Sequence, residues 1–227
     1  TSRRRQRQMC IRDSPLPDVK LTDLSDAIQT DLKTLGWDEL MPVQAKTIAY
    51  MKAGRDMVIQ SKTGSGKTGA FLIPLIEILE EDHPYPQALV LVPTRELAVQ
   101  VEEEVQKLSA SRGVRSVAIY GGVKYESQLK ALRDGVHIVI ATPGRLLDHL
   151  KQKNLDFHDL RDLVMDEADE MLSMGFYPDM KKIQSYLPED YCTTLFSATM
   201  PEMVKSLSSE FQSANRGFLS LSYGEIS

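Results

Sequence analysis

From about residue 55 onward, short runs of β-branched and apolar residues alternate with longer stretches whose apolar positions recur at helical spacing. The short runs predict strands at 57–60, 88–92, 116–120, 137–141, 163–166, 193–197 and 217–221. Most are unbroken rather than alternating, the pattern of parallel strands covered on both faces. The stretches between them predict helices at 67–80, 94–109, 125–133, 144–151, 178–186 and 201–210. Two further helices, 22–35 and 42–52, precede this pattern and are separated by Gly36 and Trp37. Thr22 with Asp23 offers the first a cap and early negative charge, and Pro42 suits the first turn of the second. Strand then helix, repeated, specifies an α/β fold: a doubly wound, mainly parallel sheet flanked by helices. Such sheets bind ligands beyond the carboxyl ends of their strands, so the loops there are where chemistry is sought.

Composition adds limits. The chain has 227 residues, 42% hydrophobic and 26% charged, which suits one large globular domain. Its net charge is −5, and removing Arg3, Arg4, Arg5, Arg7 and Arg12 would take it to −10. An acidic body argues against a broad electrostatic nucleic-acid surface and for local contacts from loops. The arginine arm, residues 1–18, reads as a flexible solvated flank or as added affinity for phosphates. Cys10 and Cys192 are far apart with no metal-type spacing, Cys192 reading as core. The apolar run 70–76 is broken by Pro74 and far shorter than the roughly 20 residues that span a bilayer. A soluble, cytoplasmic protein with no membrane partner is expected.

The segment Ser61-Lys62-Thr63-Gly64-Ser65-Gly66-Lys67-Thr68 joins a strand to a helix through a glycine-containing turn. Gly64 and Gly66 let backbone N–H groups turn toward phosphate oxygens, and the helix start adds positive potential. Lys67 would reach the β- and γ-phosphates and the Thr68 hydroxyl would ligate Mg²⁺. Ser61 stands where Gly or Ala is usual, and a small residue still fits. The apolar run Leu163-Val164-Met165 ends in Asp166-Glu167-Ala168-Asp169. At that strand end Asp166 can hold Mg²⁺ through its waters, and Glu167 can orient and deprotonate an attacking water. Read alone, the tetrad also reads as the acidic start of a helix.

The tetrad together with the phosphate loop resembles the DEAD-box RNA helicases of superfamily 2, over about residues 19–221. Membership implies a RecA-like P-loop domain acting as an ATP-dependent RNA helicase, with ATP and Mg²⁺ as cofactors. The segment Gly36-Trp37-Asp38-Glu39-Leu40-Met41-Pro42-Val43-Gln44 resembles that family's adenine-reading Q motif. Gln44 would pair with the edge of the base and Trp37 would pack near it, since an amide offers both donor and acceptor to adenine. Pro93-Thr94-Arg95, Gly121-Gly122 and Thr142-Pro143-Gly144-Arg145 look like its RNA-contacting segments, donating to phosphates without reading bases. Ser197-Ala198-Thr199 resembles its coupling motif, bridging to the tetrad at Asp169.

The sequence departs from the family at Val19, where an aromatic residue is common, and at Leu40 and Met41, where Pro and Thr are frequent. No counterpart of the family's second RecA-like domain, with its arginine fingers, is legible up to Ser227; residues 222–227 read as a tail or the start of a linker. Slow hydrolysis and no unwinding are therefore expected of these 227 residues alone. Two other classes compete: a binding module that keeps nucleotide only as a signal, and a DNA-acting motor. The intact Lys67, Thr68, Asp166 and Glu167 favour the enzyme. His83, His137, His149 and His158 show no ligand spacing and read as loop or helix surface. Met165, Met171, Met174 and Met180 read as packing, and Glu102 to Glu104 as a solvated helix face.

Overall fold

The structure, a computed structural model, describes residues 15–62 and 66–221. The five arginines and Cys10 of the arm, Thr63, Gly64 and Ser65 of the phosphate loop, and residues 222–227 lie outside it. In chain order the elements are a 3₁₀ turn at Leu21–Asp23, α1 (Asp26–Thr34), α2 (Pro42–Lys52), β1 (Met57–Gln60), α3 (Lys67–Ile78), β2 (Ala88–Leu91) and α4 (Arg95–Leu108). They continue with β3 (Ser116–Ile119), α5 (Tyr125–Asp134), β4 (Ile138–Ala141), α6 (Pro143–Lys151), β5 (Asp162–Met165) and α7 (Ala168–Ser173). The series closes with α8 (Tyr177–Gln184), β6 (Cys192–Ser197), α9 (Glu202–Phe211) and β7 (Gly217–Ser220).

The strands form one seven-stranded sheet in the order β3-β4-β2-β5-β6-β1-β7. Every neighbouring pair is parallel. Each face is covered by its own apolar layer, as the unbroken strand runs require. One layer joins Ile28, Ile48, Phe71, Ile73 and Val101 of α1 to α4 to Ile59, Val90 and Val164 of the sheet. The other joins Leu146, Met171, Ile183 and Leu207 of α6 to α9 to Val58, Leu91, Met165 and Leu195. Phe71 and Phe196, with ring centroids 5.4 Å apart, fix α3 over β6.

Several sequence expectations need correction. The helix expected over 22–35 is divided: Asp23 turns back to accept from the Lys20 N–H at 2.8 Å, and Ser25, not Thr22, caps α1 by accepting from Ile28. Helix α7 was not expected, because six residues are too few for a helical period to be read. Met174 is 48% exposed on the turn after α7, whereas Met165, Met171 and Met180 are buried. Glu102 is half-buried, and burial pushes its carboxyl up from the usual range. His137 and His149 are fully buried rather than on the surface. Each is satisfied internally: the His137 ring accepts from the Arg115 N–H at 2.8 Å and lies 2.8 Å from the Glu81 carbonyl, and His149 lies 2.9 Å from Gln128 Oε1.

Burial lowers the pKa of both imidazoles, for His149 to about 4. A depressed histidine pKa means that the unfolded chain takes up protons first as pH falls. Their contribution to stability is therefore complete above about pH 6.5 and is lost progressively toward the folded-state values. Thermal melts between about pH 7 and pH 4.5 should show the unfolding temperature falling, and His149→Gln should fall less steeply than the parent. Equal slopes would remove His149 as a cause.

Candidate nucleotide site at the carboxyl edge of the sheet

Because all strands are parallel, every strand-to-helix loop leaves at one edge. The segments after β1, β5 and β6 lie together there, since these three strands are adjacent in the sheet or one strand apart. Strands β1 and β5 are separated only by β6, so their ends are roughly 10 Å apart at ordinary strand spacing. A lysine can cross that gap. The Lys67 ammonium, at the first position of α3, reaches Asp166 Oδ1 at 2.9 Å and Glu167 Oε1 at 3.6 Å.

Asp166 has no solvent exposure, and beyond Lys67 its oxygens meet no well-aligned hydrogen-bond donor among the described residues. Burial pushes this carboxyl up and Lys67 opposes the rise. The next residue, Glu167, is held at φ 52° and ψ 52°, a left-handed backbone that costs a non-glycine residue about 1–3 kcal/mol. The hydroxyls of Ser61 and Ser197 are also buried without a partner among the described residues, although the Ser61 N–H donates to the Ser197 carbonyl at 3.1 Å. Lys62 is exposed and Thr68 half-buried. A buried carboxylate short of donors and a nearby hydroxyl are a set that Mg²⁺ fits, since it binds through one or two carboxylates, substrate phosphates and retained waters.

Asp169 and Thr199 are brought together. Asp169 Oδ2 accepts from the Thr199 hydroxyl at 2.8 Å and from its N–H at 3.1 Å. This ties the segment after β6 to the first turn of α7.

Gln44 and Trp37 lie over the start of α3. Gln44 is buried; its Oε1 accepts from the Met41 N–H at 2.8 Å and its Nε2 donates to the Gly66 carbonyl at 3.2 Å. Gly66 has φ 79°, and a Cβ there would meet Met41 Sδ at 2.5 Å. A Cβ on Gly69 would meet Trp37 Cη2 at 2.8 Å and Gln44 Nε2 at 3.1 Å. Gly66 is thus favoured by its left-handed backbone, and Gly69 by the close approach of Trp37 and Gln44 from the α2 entry segment. Gly69 was missed from the sequence; the signal was a third glycine, two residues past Lys67. Beside them Gly36, Trp37, Asp38, Glu39, Met41 and Gln44 line an open cleft of about 430 Å³.

The segments after β2, β4 and β3 occupy the other half of the edge. Thr94 caps α4, accepting from the Leu97 N–H at 3.2 Å, and leaves Arg95 exposed beside buried Pro93. Gly121 and Gly122 are exposed, the latter at φ 82°. Thr142 and Pro143 open α6, with Gly144 and Arg145 half-buried in its first turn. The Arg95 guanidinium lies 5.1 Å from the ring centre of Tyr120, and that of Arg145 lies 5.3 Å from Tyr125. These tyrosines carry no short motif and were also missed.

Comparison with known proteins agrees with this arrangement. The family model described as DEAD/DEAH box helicase matches residues 41–207. The ATP-dependent RNA helicase DeaD of Escherichia coli is 51% identical over 181 residues, covering 79% of this chain and 29% of DeaD. The DEAD-box ATP-dependent RNA helicase CshA of Streptococcus pneumoniae is 45% identical over 192 residues, covering 85% of this chain and 37% of CshA. The chain thus spans about a third of the length of these relatives. The crystal structure of a DEAD box protein from the hyperthermophile Methanococcus jannaschii superposes with a TM-score of 0.83 at 38% identity, covering 87% of this chain and 54% of that one. The fold is therefore RecA-like, and the chain belongs to the DEAD/DEAH box helicase family.

Proposed function

We propose that residues 19–221 form the ATP-binding RecA-like domain of an ATP-dependent RNA helicase, which holds ATP with Mg²⁺ and grips RNA by its backbone. The observation that carries this reading is the Lys67–Asp166 pair, 2.9 Å apart and buried where the segments after β1 and β5 converge. A lysine and a carboxylate are held out of water, with Glu167 at 3.6 Å as a second carboxylate for the lysine. That arrangement suits a site completed by a polyphosphate and a divalent cation.

In this reading Lys67 moves from Asp166 to the β- and γ-phosphates, and backbone N–H groups from Lys62 through Thr68 cradle the chain of phosphates, the Ser61 N–H being held by the Ser197 carbonyl. Thr68 and Asp166 would hold Mg²⁺, which supplies positive charge to the transferring phosphoryl oxygens when bound. Glu167, its carboxylate 3.6 Å from the Lys67 ammonium, orients the attacking water and takes its proton. Gln44 offers its amide to adenine by exchanging a bond it now makes within the chain, and Trp37 walls the cleft beside it. The Asp169–Thr199 bonds, with Ser197, connect this site to the rest of the carboxyl edge. Arg95, Gly121, Gly122, Thr142, Gly144 and Arg145, with Thr94 and Pro93 shaping their loop, contact RNA phosphates. A second RecA-like domain completes the site with arginine side chains. No helix among the described residues is long and apolar enough to cross a membrane.

Calorimetric titration of ADP and GDP with Mg²⁺ tests the nucleotide assignment. ADP should bind in preference, Lys67→Ala should weaken it at least about tenfold, and Gln44→Ala should narrow the gap between the two bases, each step matching roughly one charged hydrogen bond. Equal binding of both bases by the parent chain would sink the role of Gln44. Replacing the pair as a whole, Lys67→Met with Asp166→Leu, removes both buried charges, so the double variant should melt at the same temperature as the parent or higher while losing Mg²⁺-dependent nucleotide affinity. A clear drop in melting temperature would show the ion pair to be structural instead. The 227-residue polypeptide with saturating RNA should release phosphate about three to five orders of magnitude more slowly than an assembly that includes a second domain. Comparable rates would refute the need for arginine groups from elsewhere.

A further inference from the structure

A chain of contacts, buried at His149 and Gln128 and half-buried elsewhere, runs between the two arginines at the carboxyl edge. It begins at Arg145, which lies over Tyr125 and also points a guanidinium N–H at the Val123 carbonyl, 3.4 Å away. Tyr125, at the start of α5, stacks on the His149 ring, with centroids 4.1 Å apart and planes 4° from parallel. Asn154 donates to the Tyr125 hydroxyl at 3.1 Å and lies 3.2 Å from His149 Nδ1. His149 Nε2 meets Gln128 Oε1 at 2.9 Å, and Gln128 Nε2 donates to the Tyr120 carbonyl at 3.0 Å. Tyr120 carries Arg95 over its ring and immediately precedes Gly121.

The polar atoms of this chain fit one proton arrangement. Burial holds His149 neutral, so its Nε2–H donates to Gln128 and its Nδ1 accepts from Asn154. Gln128 in turn must present its oxygen to the imidazole, because its amide N–H is committed to the Tyr120 carbonyl. Packing α5 against α6 would need no such network; apolar side chains would serve, without the penalty of burying polar groups. What the network adds is direction: it spans the segments after β3 and β4, and through Arg95 the segment after β2. An arginine stacked on an aromatic face keeps its edge donors free while losing the freedom that a phosphate contact would otherwise have to remove.

We infer that His149, with Gln128 and Asn154, is a positioning unit that sets the Tyr125 and Tyr120 faces so that Arg145 and Arg95 meet the phosphates of one RNA strand together. The inference rests on the RNA reading of these loops. It makes the α5–α6 polar network part of nucleic-acid binding although none of its buried members touches the strand.

Fluorescence anisotropy of a labelled oligouridylate, titrated with the chain at several low salt concentrations, tests this with a double-mutant cycle of His149→Leu and Arg145→Ala. Arg145→Ala should weaken binding and flatten the salt dependence, by about 0.7 in the log–log slope for one lost single-strand phosphate contact. His149→Leu should weaken binding roughly fivefold, the scale of a lost cation–π platform, with ADP affinity unchanged. In the Arg145→Ala, Arg95→Ala background His149→Leu should add nothing, an interaction that a merely structural role does not produce. Should His149→Leu fail to fold, Tyr125→Leu at the half-exposed start of α5 carries the same cycle. If Arg145→Ala weakens RNA binding but the His149 or Tyr125 variant leaves it unchanged or adds independently, the positioning role is overturned and the RNA reading stands. If the parent chain binds no RNA, or the arginine variants bind as it does, both fall.

Discussion

Parallel pairing of all seven strands is the constraint from which the site follows. Antiparallel strands would send successive loops to opposite ends of the sheet, but here every strand-to-helix loop emerges at one edge. The strand order then sorts them. The ends of β1, β6 and β5 group Ser61, Lys67, Ser197 and Asp166, while β2, β4 and β3 group Arg95, Arg145 and the Gly121-Gly122 pair. Thr199 and Asp169 tie the segments after β6 and β5 to each other. One edge therefore carries a phosphate-binding half and an arginine-bearing half without any insertion into the sheet.

The first half is assembled against its own stability. Asp166 is fully buried and carries a charge that one lysine compensates, Glu167 is held in a left-handed conformation, and two serine hydroxyls are buried without partners among the described residues. Each of these opposes folding by a modest amount. The two apolar layers, continuous across the sheet, supply the excess that tolerates them. The second half shows the opposite economy: its buried polar groups, His149 and Gln128, are each matched to a partner.

Much of this was legible in the sequence, and for physical reasons. Strands covered on both faces must be apolar throughout, so β1 to β7 were found to within a residue at each end. The start of α2 was read correctly because a proline suits the first turn of a helix, where its missing N–H costs nothing. What escaped notice depends on partners distant in the chain. The burial of His137 and His149 is invisible without the carbonyl of Glu81 and the side chains of Gln128 and Asn154 that satisfy them. The tyrosines beneath Arg95 and Arg145 have no spacing signature, since aromatic contacts across loops obey no local period. At α1 the start was misread: the sequence favours Thr22 as the cap, whereas Asp23 accepts from the Lys20 N–H and Ser25 caps the helix.

Strand β7 gives the sheet a boundary that motif matching does not reveal. The family match ends at residue 207, yet Gly217–Ser220 pairs along the whole of β1, from Met57 to Gln60. A fragment trimmed to the matched residues would keep every recognised motif after residue 41 but strip one side of the strand that leads into the phosphate loop. Its unpaired N–H and C=O groups would then form an open edge, the kind of surface on which foreign strands and second copies of a chain aggregate. The extent of the paired sheet is thus set by what pairs with β1, and it is longer than the piece that carries the signature.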